Sequence, residues 1–327
     1  MSGVPADGSG DRRARGLPGD GSGDRRARGV PADDSGDRRV LDLRGRTLDL
    51  SRRVAVMAIV NRTPDSFYDH GATDALDAAV AAGRAAAEAG ADIVDIGGVK
   101  FAPGPPVPVA EEIDRVVPVV RALASTVAVS VDTFRPEVAH AAIAAGAAMI
   151  NDTTGLHDPA MAGVVAAGGA AIVVAHSVAA PRTALPQPRY DDVVAEVAAF
   201  LRERTDLALR RGVPAERIVV DPGHDLNKTT RHSLELTRRL AEFADLGFPL
   251  LVALSNKDFV GEALGRGRDE RMPGSLAAAV YCAVQGACIV RVHNVRETVD
   301  AMRMVEAIEG WREPAYERHN VRPEGND

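Results

Sequence analysis

The sequence predicts an α/β protein built as a (β/α)₈ barrel, with a disordered repeat segment at the N-terminus. Three observations lead to this prediction: eight short apolar runs rich in Val and Ile, Ala-rich helical segments between them, and a spacing that fits eight strand–helix units into about 250 residues. A doubly wound open sheet is the alternative arrangement of such units. No G-x-G-x-x-G follows the first predicted strand, which weakens the nucleotide-binding form of that alternative.

Turn residues bound each apolar run, as is typical of buried parallel strands. The predicted strands span residues 54–61, 91–98, 127–133, 148–152, 170–177, 217–223, 249–255 and 288–294. The predicted helices span residues 75–89, 110–124, 136–145, 158–167, 191–211, 230–246, 274–285 and 296–309. Asp158 and Pro159 offer an N-cap and a first-turn proline to the fourth helix. Gly90, Gly146 and Gly212 follow helix ends, where glycine is favoured.

The predicted barrel occupies residues 46–310, between two polar segments. Residues 1–45 contain a 13-residue repeat: GVPADGSGDRRAR returns as GLPGDGSGDRRAR and then as GVPADDSGDRR. Each copy holds almost no apolar surface and cannot offset the entropy lost on ordering, so we predict a disordered tail. Residues 311–327 are predicted to form a second polar tail.

The composition argues against several classes of protein. The 327 residues carry a net charge of −7, which disfavours general nucleic-acid binding. Cys282 and Cys288 are too few for a disulfide scaffold and fit a reducing compartment. No apolar run reaches the roughly 20 residues of a membrane-spanning helix, and the Arg- and Asp-rich N-terminus lacks the apolar core of a secretory signal. We therefore expect a cytoplasmic protein with neither nucleic-acid nor membrane partners.

Every predicted strand ends in a polar or charged residue. These residues are Asn61, Asp95, Asp132, Asn151 with Asp152, His176, Asp221, Asn256 with Lys257, and Arg291 with His293. In a (β/α)₈ barrel, the strand ends and the loops that follow them build the active site. Packing requires none of these side chains, and gathering them at one rim is costly without a ligand. The eight strand ends together predict a ligand site.

The side chains at the rim divide into hydrogen-bond acceptors and donors. The acceptors are Asp132, Asn151 and Asp221, and the donors are Lys257, Arg291 and His293. Acceptors of this kind can pair with the ring N–H groups of a polar heterocycle, while the donors suit a phosphate or diphosphate. The combination predicts a transfer reaction from an activated, pterin-like alcohol.

Seven sequence blocks, in order along residues 50–310, resemble those of dihydropteroate synthases. They are NRTPDSFYD (61–69), DIGG (95–98), SVDTFR (130–135), INDTTG (150–155), DPGHDLNKT (221–229), SNKDFVG (255–261) and RVHNV (291–295). The resemblance implies a barrel enzyme of folate synthesis. Such an enzyme joins 6-hydroxymethyl-7,8-dihydropterin diphosphate to p-aminobenzoate and releases diphosphate by a dissociative mechanism, with no side-chain nucleophile.

The resemblance also implies roles for individual residues. The pterin-binding residues would be Asp132, Asn151, Asp221 and Lys257, of which Asp132, Asp221 and Lys257 would also be catalytic. The diphosphate would be held with Mg²⁺ by Asn61, Arg291 and His293, with Asn61 as the metal ligand. The p-aminobenzoate loops would supply Thr63, Pro64, Asp65, Ser66, Phe67, Lys100, Phe101 and Pro103. Family members are usually homodimers, which we expect here as well.

The loop after the second predicted strand departs most from the family pattern. The family usually reads G-G-E-S-[ST]-R-P-G, whereas residues 97–104 read GGVKFAPG, without the acid, the hydroxyls and the arginine. Asn256 replaces another arginine, and Leu226 replaces an aromatic residue that stacks on the pterin.

These departures leave three functions open. The first is an active dihydropteroate synthase. The second is a transferase or hydrolase that uses a pterin-like diphosphate with another acceptor, or none. The third is a non-catalytic paralogue that binds a pterin or an anion. The NRTPDSFYD and SNKD spellings resemble a divergent second branch of the family in actinobacteria.

Overall fold

The computed structural model describes residues 39–61 and 72–320, so the repeats within residues 1–38 lie outside the described residues. The described chain opens with an antiparallel hairpin of β1 (Val40–Leu43) and β2 (Arg46–Asp49). Arg44 and Gly45 form its two-residue turn, and both have positive φ, as tight hairpin turns require. The predicted tail therefore ends too late: residues 40–45 are an ordered part of the fold.

Eight parallel strands follow the hairpin. They are β3 (Ala55–Asn61), β4 (Ile93–Gly97), β5 (Ala128–Asp132), β6 (Met149–Asp152), β7 (Ala171–Ala175), β8 (Ile218–Asp221), β9 (Leu251–Ala253) and β10 (Ile289–Val292). Their order is β8-β7-β6-β5-β4-β3-β10-β9. A parallel bridge between Val220 and Leu250 joins the two edges of this sheet. The strands therefore form a nearly closed barrel, which confirms the predicted fold class over the open sheet.

Helices connect the strands. They are α1 (Ala72–Glu88), α2 (Val109–Leu123), α3 (Pro136–Ala145), α4 (Ala160–Gly168), α5 (Val193–Arg210), α6 (Thr230–Arg238), α7 (Asp258–Leu264), α8 (Met272–Val284) and α9 (Val295–Ile308). The helix predicted over 230–246 is interrupted, because α6 ends at Arg238 and a 3₁₀ segment, Leu240–Leu246, follows. Helix α7 lies outside all of the predicted helices. No helix in the described part of the chain is long and apolar enough to cross a bilayer.

Two layers of apolar side chains hold the barrel together. Because successive residues of a strand face opposite sides, Val56 packs outward toward the helices, whereas Met57 packs inside the barrel. The hairpin closes the inner layer: Leu41, Leu43 and Leu50 are at most 3% exposed and cluster with Met57. The ordered body also extends past residue 310, since Trp311 packs against the outer layer.

Two arginines of the hairpin donate hydrogen bonds to backbone carbonyl groups at the ends of neighbouring helices. Arg44 donates to the carbonyl oxygens of Ile143 and Ala147, at 2.8 and 3.1 Å. Arg46 donates to the carbonyl oxygen of Ser125 at 3.0 Å. Helix C-termini leave carbonyl groups unpaired, so cationic donors bind well there. The hairpin thus closes the end of the barrel opposite the polar rim.

Candidate active site

The predicted site residues converge at the carboxyl ends of the strands. The parallel register sets Asp132 beside Asn151 on the next strand, and Gly97 beside Asp132. Asn61 pairs with Gly97, and a Cβ on that glycine would lie 2.9 Å from Asn61 Oδ1. The missing side chain of Gly97 therefore leaves room for the amide of Asn61 at the barrel mouth.

Arg291 is the centre of a buried charge network in this mouth. Its Nε donates to Asp95 Oδ2 at 2.7 Å, and its Nη2 donates to Asp132 Oδ2 at 2.9 Å. Asn151 Nδ2 donates to the same Asp95 oxygen at 3.1 Å. Burial opposes the charge on Arg291, but Asp95 and Asp132 outweigh it and raise its pKa. Asp95, one of the predicted strand-end residues, had no predicted role, and in the structure it is a partner of both Arg291 and Asn151.

Three buried oxygens beside this network have no hydrogen-bond partner among the described residues. They are Asp95 Oδ1, Asn151 Oδ1 and Ser130 Oγ. Buried polar atoms are normally paired, so unpaired acceptors in a mouth indicate the place of a polar ligand. Burial also raises the pKa of Asp132 to about 7, even though Arg291 opposes this shift.

Asp221 and Lys257 form the second part of the site. Asp221 Oδ1 accepts from the Gly223 N–H at 2.7 Å, while Lys257 Nζ donates to the carbonyl oxygen of His224. Burial raises the pKa of Asp221, and the charge of Lys257 opposes that change. Burial likewise lowers the pKa of Lys257 against the charge of Asp221. The two groups therefore stabilise each other's charged forms across the mouth.

Lys228 fixes the loop that carries Asp221 and His224. Its Nζ donates to the carbonyl oxygens of Gly223 and Leu226, at 2.9 and 3.0 Å, and lies 2.8 Å from His176 Nδ1. Burial and the charge of Lys228 lower the pKa of His176 to about 2, so this imidazole is neutral and accepts through Nδ1. His176, predicted as a residue of the rim, therefore holds a loop in place. The DPGHDLNK block contains Lys228, but a sequence motif does not show which carbonyl groups a lysine will reach.

Asp225 joins the same loop to α7. Its Oδ2 accepts from the backbone N–H of Asp258 at 2.7 Å, and its Oδ1 accepts from Ser233 Oγ at 3.0 Å. A carboxylate at a helix N-terminus satisfies free N–H groups and interacts favourably with the helix dipole. Asp225 thereby places Lys257, the residue just before α7, at the mouth.

The remaining predicted site residues lie around the rim. His293 Nδ1 is 3.0 Å from Ser255 Oγ, and Ser255 had no predicted role. Lys100 and Pro103 are exposed and Phe101 is half-buried, all in the loop after β4. The predicted p-aminobenzoate residues Thr63, Pro64, Asp65, Ser66 and Phe67 lie outside the described residues.

Comparison with known proteins identifies the family. A family model described as pterin binding enzyme matches residues 57–293. The inactive dihydropteroate synthase 2 of Mycobacterium leprae is 45% identical over 284 residues, which cover 83% of this chain and 96% of that protein. The dihydropteroate synthase of Escherichia coli K12 is 43% identical over 267 residues, which cover 81% of this chain and 94% of that protein.

Solved structures agree with these matches. The dihydropteroate synthase of Xanthomonas albilineans in complex with 7,8-dihydropteroate has a TM-score of 0.75 and 44% identity, covering 83% of this chain and 98% of that one. The Yersinia pestis enzyme with a sulfonamide drug complex has a TM-score of 0.77 and 40% identity, covering 84% of this chain and 100% of that one.

The fold and the site therefore define a barrel enzyme that binds a pterin, and the chain belongs to the pterin binding enzyme family. Within that family it is a dihydropteroate synthase-like transferase, and its relatives include both a synthase and a protein named as inactive.

Proposed function

We propose that this chain binds 6-hydroxymethyl-7,8-dihydropterin diphosphate at the barrel mouth and transfers its dihydropterinylmethyl group to p-aminobenzoate. The observation that carries this proposal is the buried Asn151 Oδ1, which has no hydrogen-bond partner in the described part of the chain, beside the carboxylate of Asp132. These acceptors suit the adjacent N–H groups of a pterin ring, because charge-assisted hydrogen bonds of this kind are strong. Asp221 would accept from the ring as well, and Lys257 would donate to it.

The diphosphate would bind on the side of the mouth that holds the Arg291 cation and the imidazole of His293, whose pKa burial lowers to about 4. Arg291 and His293 follow each other on the inner face of β10 and its extension, and Ser255 supports the His293 ring. Donors fixed in advance stabilise charge that develops on a leaving group. We infer that departure of the diphosphate leaves a cation delocalised over the pterin, which the aniline nitrogen of p-aminobenzoate then attacks with loss of a proton.

Mg²⁺ is the cofactor we propose for this step. The amide oxygen of Asn61 at the mouth is a donor of the type that Mg²⁺ prefers, and this ion usually completes its shell with waters and substrate phosphates. Among residues 39–61 and 72–320, no group of three His, Cys, Asp or Glu residues is arranged to hold a metal. Asn61 together with the diphosphate oxygens would therefore hold the ion, whose charge would stabilise the leaving group.

The loop after β4 favours a second candidate function. Val99, Lys100 and Ala102 stand where an acid, hydroxyl groups and an arginine would form the p-aminobenzoate pocket. In this alternative the pterin diphosphate binds as above, but the acceptor differs or is water. A non-catalytic pterin-binding protein is the limiting case, in line with the relative named as inactive.

We also propose that the chain acts as a cytoplasmic homodimer. Support comes from exposed apolar side chains on two neighbouring helices, α8 and α9, namely Tyr281, Val284, Met304 and Ile308, each at least 50% exposed. Large apolar side chains that are exposed close together on a surface often mark interfaces. Light scattering should give a molar mass twice that of one chain. The double variant Met304→Glu with Ile308→Glu should give the mass of a single chain. A monomeric wild type would refute the proposal.

One incubation tests the proposed reaction. The purified chain is mixed with Mg²⁺ and the pterin diphosphate, with and without p-aminobenzoate, and both diphosphate and dihydropteroate are measured against an ordinary synthase. Formation of dihydropteroate supports the main proposal, and Asp221→Asn should abolish it. Diphosphate release that is independent of p-aminobenzoate supports the second candidate. Silence in both measurements contradicts both catalytic proposals.

A further inference from the structure

Two loops at the barrel mouth are joined by one arginine. We call residues 98–108, which follow β4, the acceptor loop. Arg182 lies in the loop after β7, and its Nη1 and Nη2 donate to the carbonyl oxygens of Lys100 and Pro105, at 3.3 and 3.0 Å. A Cβ on Gly104 would lie only 2.7 Å from Arg182 Nη2, so the guanidinium lies close against the acceptor loop at that glycine.

The composition of the acceptor loop makes such outside donors important. Four of its residues are proline and lack an N–H group: Pro103, Pro105, Pro106 and Pro108. At the first residue of the loop, Arg115 Nη1 donates to the Gly98 carbonyl oxygen at 2.8 Å. Two guanidinium groups from outside the loop thus bind three of its carbonyl groups, those of Gly98, Lys100 and Pro105.

The backbone at Arg182 is strained, which indicates that its side chain matters. Thr183 N–H donates to the Ala180 carbonyl at 3.1 Å and closes a turn with Pro181 and Arg182 in the middle. Arg182 has φ 57°, at the turn position where proteins favour glycine. A β-carbon is unfavourable there, and such outliers concentrate at functional sites.

The base of the Arg182 loop is anchored separately. Asn227 Oδ1, from the loop that carries Asp221, accepts from Ser177 Oγ at 2.7 Å and from the Ala179 N–H at 3.0 Å. Arg182 therefore extends from a fixed base toward the acceptor loop. It forms a physical link between the pterin-binding side of the mouth and the loop after β4.

We propose that Arg182 is a positioning residue that holds the acceptor loop over the mouth and thereby sets the affinity for the second substrate. The inference rests on the proposed function. In this chain a guanidinium reaches the loop from the loop after β7, three strands away in the barrel, whereas residue 102 within the acceptor loop is alanine. Its planar fork holds the two donors in a fixed geometry, which the flexible ammonium group of a lysine does not provide.

The experiment compares the full chain with variants chosen to keep the fold. Arg182→Gly removes the side chain and relieves the backbone strain, so it should fold. Arg189→Gly is the matched control, because Arg189 is an exposed arginine of the same loop. Arg182→Lys keeps the charge without the fork. Gly104→Ala should displace the guanidinium and so have the same effect as Arg182→Gly. The double variant should differ from the wild type no more than either single variant does, because both changes remove the same contact.

Two measurements are made on each variant. Mass spectrometry follows tryptic cleavage of the Lys100–Phe101 bond, which needs no substrate. We expect cleavage about tenfold faster in Arg182→Gly and Arg182→Lys than in the wild type and Arg189→Gly, because cleavage follows local opening. Steady-state kinetics should show the KM for p-aminobenzoate raised about tenfold, with kcat and the KM for the pterin diphosphate unchanged.

The outcomes separate this inference from the proposed function. Equal cleavage in Arg182→Gly and Arg189→Gly overturns it, as does an equal rise in both KM values. If the wild type forms no dihydropteroate, the proposed reaction fails, while the cleavage comparison still shows whether Arg182 holds the loop.

Discussion

Arg291 shows how a single side chain organises the charge of this site. It pairs with Asp95 and Asp132 at once, so the two buried carboxylates do not face each other uncompensated. Removing one member of a buried ion pair leaves an unpaired charge and is strongly destabilising. A variant at Arg291 would therefore alter both the proposed pterin side and the proposed diphosphate side of the mouth, and Asp132 is the more specific residue for a test.

Pterin binding should depend on pH through Asp132. Its pKa is raised to about 7, so the carboxyl group is neutral below that pH and becomes a charged acceptor above it. We expect affinity for the pterin diphosphate to rise as the pH increases through 7. Asp132→Asn should weaken binding at pH 8 by about 1.5–3 kcal/mol and flatten the profile. Calorimetric titrations between pH 5.5 and 8.5 would measure the pH dependence of the affinity and the loss in the variant. If the affinity of Asp132→Asn rose with pH as steeply as that of the wild type, Asp132 would not be the group responsible.

His224 should make the protein less stable in acid. It is fully buried, neither ring nitrogen has a partner among the described residues, and burial lowers its pKa well below the usual value. The folded chain keeps this imidazole neutral, whereas the unfolded chain takes up a proton below about pH 6.5. The stability contributed by the neutral form is therefore full above that pH and falls as the pH decreases.

Replacing His224 by leucine tests this prediction. In denaturant melts, the free energy of unfolding of the wild type should fall by about 2 kcal/mol more than that of His224→Leu when the pH is lowered from 7 to 5. The variant should also be more stable at pH 7, because burying unpaired polar atoms costs about 1–3 kcal/mol. His140→Leu, at an exposed position on α3, is the control. Parallel pH profiles for the wild type and His224→Leu would contradict the prediction.

At the scale of the elements, short connections position the side chains of the proposed site. The loop after β8 is held from inside by Lys228, and its residue Asp225 joins it to the start of α7. Neither contact belongs to a strand or helix pattern, yet both determine where Asp221 and Lys257 lie. The predicted helix over 230–246 breaks after Arg238 because the chain turns there into a 3₁₀ segment that buries Leu240, Phe243 and Leu246.

Asp225 provides a prediction at this scale. Asp225→Ala removes the carboxylate that accepts from the N–H groups of Asp258 and Phe259 at the start of α7, and should lower the free energy of unfolding by about 1–2 kcal/mol. It should also weaken pterin binding, because Lys257 adjoins that helix. Asp225→Asn keeps an acceptor and tolerates the positive φ of 64°, so it should cost less. Denaturant melts and pterin titrations of the two variants would show this order, and equal losses would refute the capping role.

At the scale of the whole molecule, the hairpin decides where the folded body begins. Deletion of residues 1–38 should leave Tm and pterin binding unchanged, since the barrel and its hairpin stay complete. Deletion of residues 1–50 removes three buried leucines and should cost about 5 kcal/mol or more. That loss is comparable to the whole stability of a typical domain.

Thermal melts of the two deletions test this boundary. Leu41→Ala serves as a milder variant that should still fold and should cost about 2–5 kcal/mol. A drop of several degrees on removing residues 1–38 would show that the repeats support the barrel. An unchanged Tm on removing residues 1–50 would show that the hairpin does not.

The sequence by itself determined the barrel, the rim residues and the family. Side chains alternate between the two faces of a strand, and this alternation is a local property of the chain. The sequence alone therefore predicts that Arg291 and His293 share a face, whichever strands lie beside them. Polar residues at strand ends then predict a site wherever parallel strands converge. The motifs around Asp132, Asn151, Asp221 and Lys257 are contiguous and could be read directly.

Only the tertiary structure decided which groups meet. Arg291 pairs with Asp95 from 196 residues away, and Arg182 reaches Lys100 across 82 residues. The hairpin is four residues per strand and carries charges between its leucines, so its burial depends on the open end of the barrel beneath it. Such contacts follow from the closure of the sheet into a barrel. Closure brings strand ends that are distant in sequence together, and it leaves one apolar end of the barrel for the hairpin to cover. No local sequence pattern predicts the residue pairs that meet or the burial of the hairpin.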